Sequence, residues 1–354
     1  MAPPLGVIEG YYGRPWSWEA REDVVRRLAP HGYRTFYYAP KAEARLRRRW
    51  REPFTAQTRD ALGRFAAACA QADVELGVGL SPFEIWRGFD DDARAALADR
   101  LAEFEGLGVR RLAILFDDMR GDTADLALAQ ARIVDWIAAR TPAPLAVCPT
   151  YYNDDPGLDL FFGARPAGYL QDLGAALDPS IDLFWTGPET CSLEIGVGHL
   201  ERVAEAMRRP PLLWDNYPVN DGPRMSPHLH LRAFTGRPAS IGPLVRGHMI
   251  NPALQPTLSC IPAITLAQSY QDGDAYDYGR AFRRAADEVL GLDFAAQVEA
   301  RLTALQDVGL DRLGEDATRR LRRRFSAIHH PAAGEIVDWL EGVWTTSRED
   351  VETA

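Results

Sequence analysis

The sequence lacks the signatures of membrane-spanning, disulfide-stapled and zinc-binding proteins. A transmembrane helix needs a run of about 18 apolar residues or more, and the sequence contains no such run. The four cysteines, Cys69, Cys148, Cys191 and Cys260, lie far apart and form no CxxC pair, so they indicate neither a disulfide framework nor a zinc site. No charged and apolar leader precedes the first apolar run. A reduced, cytoplasmic location without membrane association is therefore expected, and secretion is the alternative if a signal peptide has been removed.

Positive charge and phosphate-binding glycine loops are also scarce. The formal net charge of −10 argues against nucleic acid or an anionic membrane as a partner, because both attract basic surfaces. The basic runs RLRRRW (45–50) and RRLRRRF (319–325) have apolar residues at helical spacing, which favours solvated helix faces over binding patches. The motif GYYGRPW does not match GxGxxG, and of the seven histidines only His248 falls in a predicted strand. No cofactor and no metal site are predicted.

The rest of the sequence alternates short apolar runs with longer amphipathic stretches. Eight runs are predicted to be strands: LGVIEG (5–10), TFYYAP (35–40), ELGVGLS (75–81), RLAILFD (111–117), PLAVCPT (144–150), IDLFWTG (181–187), PLLWDN (211–216) and PLVRGHMIN (243–251). Their regular spacing, with apolar residues on both faces, favours a parallel barrel. Between them, apolar residues at i, i+3, i+4 and i+7 indicate helices, and Ser17 is the predicted N-cap of the first.

The pattern changes towards the end of the chain. The helical segment before the eighth strand is weak, because HLHLRAFTGRPAS is interrupted by glycine and proline. After about residue 280 only helical patterns remain. The sequence therefore predicts an α/β fold: a (β/α)8 TIM barrel over residues 1–278, followed by a C-terminal helical appendage over residues 279–354.

One end of the predicted barrel is polar, aromatic and acidic. In a (β/α)8 barrel the reactive groups lie at the carboxyl ends of the strands. Seven of the eight predicted strands end in such residues: Glu9 and Gly10, Lys41, Asp117 and Asp118, Tyr151 and Tyr152, Trp185 and Thr186, Asp215 and Asn216, and Asn251. Carboxylates and amides bind vicinal hydroxyls, and aromatic rings cover the apolar face of a sugar ring. The pattern indicates a carbohydrate-binding mouth.

Asp117 and Asp118 are the sharpest feature, because they follow an apolar strand and burying two adjacent charges is costly. A strand-end or helix-capping pair is the ordinary structural explanation, but a position at the catalytic end of a barrel favours a functional one. For Lys41 considered alone, the ordinary explanation is a solvent-exposed lysine. For Trp185 and for Trp214 considered alone, it is a position in the hydrophobic core.

Seven motifs in register resemble glycoside hydrolase family 84, the O-GlcNAcase type of β-N-acetylglucosaminidase. They are GVIEGYYGRPW (6–16), YYAPK (37–41), LFDDM (115–119), CPTYY (148–152), WTGP (185–188), WDNYPVND (214–221) and INP (250–252). The resemblance implies a retaining, exo-acting hydrolase of terminal β-linked GlcNAc with substrate-assisted catalysis. In that mechanism the substrate's own 2-acetamido oxygen attacks the anomeric carbon and forms an oxazoline. The implied partner is a GlcNAc-bearing glycoside or glycoprotein, while the aglycone and the oligomeric state stay open.

The resemblance also implies roles for individual residues. Asp117 would orient the 2-acetamido group, and Asp118 would be the general acid and base. Repulsion between the two carboxylates would raise one pKa and leave a proton on the pair near neutral pH. The implied sugar contacts are Gly10, Lys41, Cys148, Tyr152, Trp214, Asn216, Asp221 and Asn251. Tyr151 departs from the family pattern, which often has an acidic residue at that position.

Two hypotheses from other classes stay open. One is a GlcNAc-binding barrel without catalysis, although such a protein would usually have lost one carboxylate and both are present. The other is a Mg²⁺-dependent enzyme that uses the Asp pair as ligands, although such sites usually recruit carboxylates from more than one element.

Overall fold

A closed barrel of eight parallel strands forms the centre of the molecule. The computed structural model describes residues 2–347. The strands are β1 (Leu5–Glu9), β2 (Tyr33–Tyr38), β3 (Glu75–Leu80), β4 (Arg111–Leu115), β5 (Leu145–Cys148), β6 (Asp182–Trp185), β7 (Leu212–Asp215) and β8 (Gly247–Ile250). They pair in chain order, and β8 closes the barrel against β1 with His248 beside Leu5. Each strand overlaps the apolar run that predicts it, so the predicted (β/α)8 TIM barrel is confirmed.

Helices occupy the connections between the strands and follow the last strand. They are α1 (Trp18–Leu28), α2 (Ala56–Gln71), α3 (Asp91–Gly106), α4 (Leu126–Ala138), α5 (Gly157–Phe162), α6 (Tyr169–Ala176), α7 (Val197–Met207), α8 (Gly222–Met225) and α9 (Pro256–Asp272). Short 3-10 helices lie at Ala29–His31, Ala44–Leu46, Ile85–Arg87, Ala239–Leu244 and Gly273–Ala275. The predicted N-cap of α1 is confirmed, because Ser17 Oγ accepts the backbone N–H of Ala20 at 3.2 Å.

The connection between β7 and β8 is mostly irregular, as its glycines and prolines predict. Its regular parts are the four-residue α8 and the 3-10 helix Ala239–Leu244. Backbone N–H and C=O groups in such a segment lack the regular hydrogen bonds of a helix or a sheet, so they need partners from other parts of the molecule.

Only helices follow the barrel within the described residues. They are α10 (Tyr278–Leu290), α11 (Leu292–Glu299), a π-helix (Thr303–Val308), α12 (Leu310–Leu313), α13 (Glu315–Phe325) and α14 (Pro331–Leu340). Buried side chains of α14, among them Ile336 and Trp339, join the same core as the barrel residues. The C-terminal helical region therefore packs directly on the barrel. Among residues 2–347, no helix is both long and apolar enough to cross a bilayer.

The two basic runs have different structures. RRLRRRF lies on α13 with its two apolar residues buried and its arginines exposed, so the predicted helix face is confirmed. The prediction is wrong for RLRRRW, which leaves helical geometry after Leu46. Leu46 and Trp50 are buried anchors of a turn at the barrel mouth, and Arg47 Nη2 donates to the backbone oxygen of Asp118 at 2.9 Å. Leu46 and Trp50 are four residues apart, and this spacing resembles that of a helix although the segment is a turn.

A carboxylate from the C-terminal region caps the start of α9. The side chain of the N-cap residue Gln255 makes no capping bond. Glu335 of α14 instead accepts the backbone N–H of Thr257 at 2.8 Å and that of Leu258 at 3.0 Å. Burial raises the pKa of Glu335 to about 7, although these hydrogen bonds oppose the shift. The first N–H groups of a helix have no partner within that helix. Because Glu335 accepts two of these groups of α9, its hydrogen bonds connect α14 to the helix that follows the last strand of the barrel.

Replacing Glu335 with alanine should destabilise the protein by about 1–3 kcal/mol, because two buried N–H groups lose their acceptors. Thermal unfolding followed by circular dichroism measures the effect as a lower Tm. Glu341→Ala is the matched control, since Glu341 lies exposed at the end of the same helix and its ion pair with Arg322 should contribute little. Equal Tm values for the two variants would contradict the capping role.

Candidate active site

The carboxyl ends of the strands surround one small cavity. It encloses about 130 Å³ and is lined by all ten residues predicted for the site, namely Gly10, Lys41, Asp117, Asp118, Cys148, Tyr152, Trp214, Asn216, Asp221 and Asn251. Five further residues line it: Tyr12, Thr186, Thr190, Cys191 and Val219. The predicted residues therefore belong to one place in the fold.

Asp117 and Asp118 both line this cavity, although neighbours in a strand point to opposite faces. β4 ends at Leu115, so the alternation stops before the pair. Asp118 has a left-handed backbone with a φ of 55°, which aspartate adopts more readily than most residues. This turn brings the second carboxylate beside the first. Backbone of this kind is concentrated at functional sites.

Lys41 lies between the two carboxylates. Its ammonium contacts Asp117 Oδ2 and lies 3.5 Å from Asp118 Oδ2, and its side chain is only 3% exposed. Burial acts to lower the pKa of Lys41, but the two aspartates raise it by more, so the ammonium keeps its charge. Lys41 is the only lysine in the chain, because every other one of the 40 lysine and arginine residues is arginine. A compact ammonium suits a gap between two carboxylates better than a planar guanidinium.

Asp118 is surrounded by groups that favour its charged form. The hydroxyl of Tyr12 donates to its Oδ2 at 2.7 Å, and the hydroxyl of Tyr152 donates to its Oδ1 at 3.1 Å. Burial raises the pKa of Asp118, but Lys41, Arg47 and the two hydroxyls together lower it by more, so that it lies below the usual value. The expectation of a proton held near neutral pH is therefore wrong for Asp118 in the free site. The sequence could not show that an ammonium would separate the carboxylates.

One carboxylate oxygen of Asp117 has no hydrogen-bond partner in the described part of the chain. Its Oδ2 contacts Lys41, whereas its Oδ1 is buried and has no hydrogen-bond partner within residues 2–347. A buried acceptor without a partner is costly, which indicates that a ligand N–H or O–H completes it. Within the same described range, no group of three or more His, Cys, Asp or Glu residues is arranged to hold a metal ion.

The opposite wall carries a third carboxylate. Asp221 Oδ2 accepts the backbone N–H of Tyr12 at 2.7 Å. Burial raises the pKa of Asp221 to about 6; the Tyr12 N–H opposes this shift, and the charge of Asp118 adds to it. Asp221 therefore changes its charge closer to neutral pH than Asp118, whose pKa is lowered.

An amide and indole cluster forms the floor between these walls. Asn251 Oδ1 accepts the N–H of Gly10 at 3.2 Å, and its Nδ2 donates to Asn216 Oδ1 at 3.0 Å. Trp214 Nε1 donates to the same Asn216 oxygen at 3.1 Å. Any Cβ at Gly10 would overlap the Trp214 indole, so this position needs glycine. The cluster fixes one amide and one aromatic ring against the cavity.

Four strand-end residues serve the fold instead of lining the cavity. Glu9 is paired with Arg21 at 2.6 and 2.7 Å, and Asp215 with Arg237 at 2.7 Å. Tyr151 donates to the Gly163 carbonyl at 2.7 Å, and Trp185 Nε1 bonds His199 at 3.0 Å. These side chains are buried and have partners of their own, so the departure of Tyr151 from the family pattern does not alter the cavity wall.

Tyr12 is the main residue that the sequence prediction missed. It connects two walls, because its hydroxyl bonds Asp118 and its N–H bonds Asp221. The motif GYYGRPW contains it directly after β1, but Tyr11 beside it is fully buried and donates to Glu9. Sequence alone does not distinguish these two tyrosines. Thr186 is predicted only as a strand-end residue, and the other missed residues, Thr190, Cys191 and Val219, lie on irregular loops after β6 and β7.

Replacing Lys41 with methionine should raise the pKa of Asp118, because the variant removes the nearest positive charge that favours the carboxylate. Carboxyl ¹³C NMR titration of aspartate-labelled protein measures this shift, with the Asp118 signal identified by its absence in Asp118→Asn. Lys41→Arg is the matched control, since it keeps the charge and should raise the pKa less. An unchanged Asp118 titration in Lys41→Met would show that Lys41 does not set it.

Comparison with known proteins places this chain in a family. A family model described as beta-N-acetylglucosaminidase matches residues 5–307, which include the barrel and the start of the C-terminal region. Protein O-GlcNAcase of Rattus norvegicus and that of Mus musculus are each 30% identical to the chain over 276 residues. The match covers 75% of the chain but only 30% of the length of these curated relatives.

A solved structure supports the same assignment. A mutant of the Thermobaculum terrenum O-GlcNAc hydrolase has the same fold, with a TM-score of 0.81 and 28% identity over 95% of this chain and 80% of that one. The barrel, the family match over most of the chain and the cavity at the strand ends agree. The chain belongs to the β-N-acetylglucosaminidase family, the glycoside hydrolases of family 84.

Proposed function

We propose that the protein is a retaining, exo-acting β-N-acetylglucosaminidase that hydrolyses terminal β-linked GlcNAc through an oxazoline. The observation that supports this proposal is that two adjacent carboxylates in one small cavity have different surroundings. Asp117 has a buried oxygen that finds no hydrogen-bond partner within residues 2–347, and Asp118 lies where the cavity opens into a wider cleft. Carboxylates in these positions suit a reaction whose nucleophile belongs to the substrate.

Each carboxylate has its own step in this mechanism. The carbonyl oxygen of the 2-acetamido group attacks the anomeric carbon while the glycosidic bond breaks. Asp117 Oδ1 accepts the acetamido N–H and stabilises the positive charge that develops there. Asp118 gives its proton to the departing oxygen. In the second half, Asp118 takes a proton from water, which attacks the anomeric carbon and opens the oxazoline with retention.

The low pKa of Asp118 in the free site requires that substrate binding promote its protonation. A bound sugar displaces water from the cavity, and loss of water favours the neutral form of a carboxyl group. The hydroxyls of Tyr12 and Tyr152 can rotate, so one of them can accept a hydrogen bond from the protonated acid. The same two tyrosine side chains can therefore form hydrogen bonds with Asp118 in both its charged and its neutral form.

A double displacement with a protein nucleophile fits the site less well. The two carboxyl groups of such enzymes flank the glycosidic bond, about 5–5.5 Å apart. Asp117 and Asp118 instead share one wall and one lysine ammonium. Their adjacency suits neighbouring parts of one sugar, the 2-acetamido group and the glycosidic oxygen.

The remaining walls supply the sugar contacts in this proposal. The hydroxyl contacts are assigned to Asp221, which takes the 4- and 6-hydroxyls, and to Asn251, Gly10 and Lys41. The acetamido contacts are assigned to Asn216, Tyr152, Trp214 and Cys148. All eight line the same cavity.

The leaving group occupies the cleft beside Asp118. This cleft encloses about 510 Å³, roughly four times the sugar cavity, and its apolar wall includes Phe83, Met119, Leu158 and Phe162. Phe161 also lines it and is 74% exposed. A cleft of this size has room for an extended leaving group such as the polypeptide part of a glycosylated protein, the kind of substrate in the names of the mammalian relatives. The cytoplasmic location stays a prediction.

Asp118→Asn should lower kcat about 10²–10⁴-fold on methyl β-N-acetylglucosaminide, because its poor leaving group depends on general acid catalysis. The loss should be smaller on 4-nitrophenyl β-N-acetylglucosaminide, whose leaving group needs little protonation. Steady-state kinetics on both glycosides measures the contrast. Asp122→Asn is the control, because Asp122 lies four residues along the same loop and is paired with Arg120 outside the cavity.

Two outcomes would reject the proposal. One is a wild-type protein that binds N-acetylglucosamine but does not hydrolyse the aryl glycoside, which would favour the non-catalytic barrel. The other is full activity in both Asp117→Asn and Asp118→Asn. Loss of wild-type activity in EDTA, restored by Mg²⁺, would favour the metal-dependent alternative.

KM for the aryl glycoside should rise as the pH falls below about 6, because Asp221 then takes up a proton and loses acceptor capacity for the sugar hydroxyls. Above that pH the carboxylate is present and KM should be flat. The measurement is KM against pH from 4.5 to 8 in the wild type and in Asp221→Asn. The asparagine variant should have a higher KM without this rise, and a rise of equal size there would assign the titration to another group.

A further inference from the structure

The loop after β7 carries part of the sugar cavity but has little regular structure. Asn216, Val219 and Asp221 line the cavity from this loop. From residue 216 to residue 232 its only regular element is the four-residue α8. The position of Asp221 therefore depends on hydrogen bonds from the loop to its surroundings.

On its inner side the loop is held by Asn220 and His230. Asn220 Oδ1 accepts the N–H of Leu254 at 2.9 Å, which fixes it to the barrel, and Asn220 Nδ2 donates to the His228 carbonyl at 2.8 Å. His230 Nδ1 donates to the Val219 carbonyl at 2.8 Å. Since a carbonyl oxygen only accepts, this ring nitrogen carries the proton. The outer part of the loop, residues 227–232, is thus bonded directly to the part beside Asp221.

On its outer side the loop is held by the C-terminal helical region. Gln306 Oε1 accepts two successive backbone N–H groups, from Leu231 at 2.8 Å and from Arg232 at 3.0 Å. The Gln306 carbonyl accepts Nδ1–H of His228 at 2.6 Å. Gln306 lies on the π-helix, a rare geometry that often marks functional positions.

Main-chain bonds on either side of Gln306 complete this attachment. The Leu305 carbonyl accepts the N–H of Leu229 at 3.0 Å, and the N–H of Leu310 donates to the Pro227 carbonyl at 2.9 Å. Residues 305–310 therefore form a support that runs along the outer part of the loop. Within residues 305–310, the bonds accepted by Gln306 Oε1 are the ones that a substitution in this segment removes, because the other bonds described for this segment use its backbone groups.

We propose that Gln306 is a positioning residue for sugar binding, through which the C-terminal helical region holds Asp221 at the cavity. The connection runs from Gln306 to residues 228–232, from there through Asn220 and His230 to residues 219–220, and so to Asp221. This inference rests on the proposed function, because it takes Asp221 to bind the sugar hydroxyls. It makes the C-terminal region part of the binding machinery.

The test is the kinetics of Gln306→Ala on 4-nitrophenyl β-N-acetylglucosaminide. Two N–H groups lose their acceptor and the loop loosens, so KM should rise about tenfold, as loss of roughly one net hydrogen bond implies. The change in kcat should be less than about twofold, because contacts to the hydroxyls hold the substrate and the transition state alike. Gln306→Glu keeps an acceptor oxygen and should restore most of the lost affinity.

A substrate without the 6-hydroxyl separates positioning from general destabilisation. The 6-deoxy glycoside lacks one Asp221 contact, so Gln306→Ala should raise its KM clearly less than that of the parent glycoside. Gln297→Ala is the matched control, since Gln297 belongs to the same region but bonds the exposed Arg324 at 3.1 Å. An equal rise in KM for both glycosides, or a lower Tm with unchanged KM, would overturn the inference.

Hydrogen exchange tests the connection without using activity. In Gln306→Ala the amides of residues 219–221 should exchange faster than in the wild type and in Gln297→Ala. Unchanged exchange there would overturn the inference even for an active enzyme. Faster exchange in a protein whose wild type hydrolyses no GlcNAc glycoside would support the connection and reject the proposed function instead.

Discussion

The ammonium of Lys41 between Asp117 and Asp118 is the interaction on which the rest of the site depends. Two adjacent carboxylates can lie in one cavity because a single cation reaches both, and without it a buried charge would stay uncompensated. The ammonium also gives the two carboxylates different surroundings, since it contacts one oxygen of Asp117 while the other is buried and has no hydrogen-bond partner within residues 2–347. Apart from Asp221, the remaining walls can then consist of amides, hydroxyls, thiols and an indole.

The barrel relies on the C-terminal region for main-chain hydrogen bonds that it does not supply itself. Parallel strands pair with one another, but the start of α9 and the loop after β7 leave N–H groups unpaired. Glu335 and Gln306 meet this need in the same way, because each accepts two successive backbone N–H groups. A sequence pattern separates a barrel from an appendage at about residue 280, whereas these bonds join the two parts into one structural unit.

Periodicity and strand ends predict much of this structure from the sequence. Strands buried on both faces are apolar throughout, and a barrel brings their ends together, so residues as distant as Gly10 and Asn251 could be assigned to one mouth. Which strand-end residue faces the cavity could not be predicted, because Glu9 and Asp215 are turned towards arginines of other elements. The low pKa of Asp118 depends on distances between different strands, and the sequence does not contain these distances.

The lysine content of the chain makes the surroundings of Asp117 and Asp118 unusually easy to observe. Every positive side chain outside the site is an arginine or a histidine, so a sample labelled with ¹⁵N in its lysine side chains contains a single ammonium nitrogen. That nitrogen lies against Asp117 and is shielded from solvent. Its resonance would report on the occupancy and charge of the cavity without overlap from any other residue, and the protein needs no substitution to provide this probe.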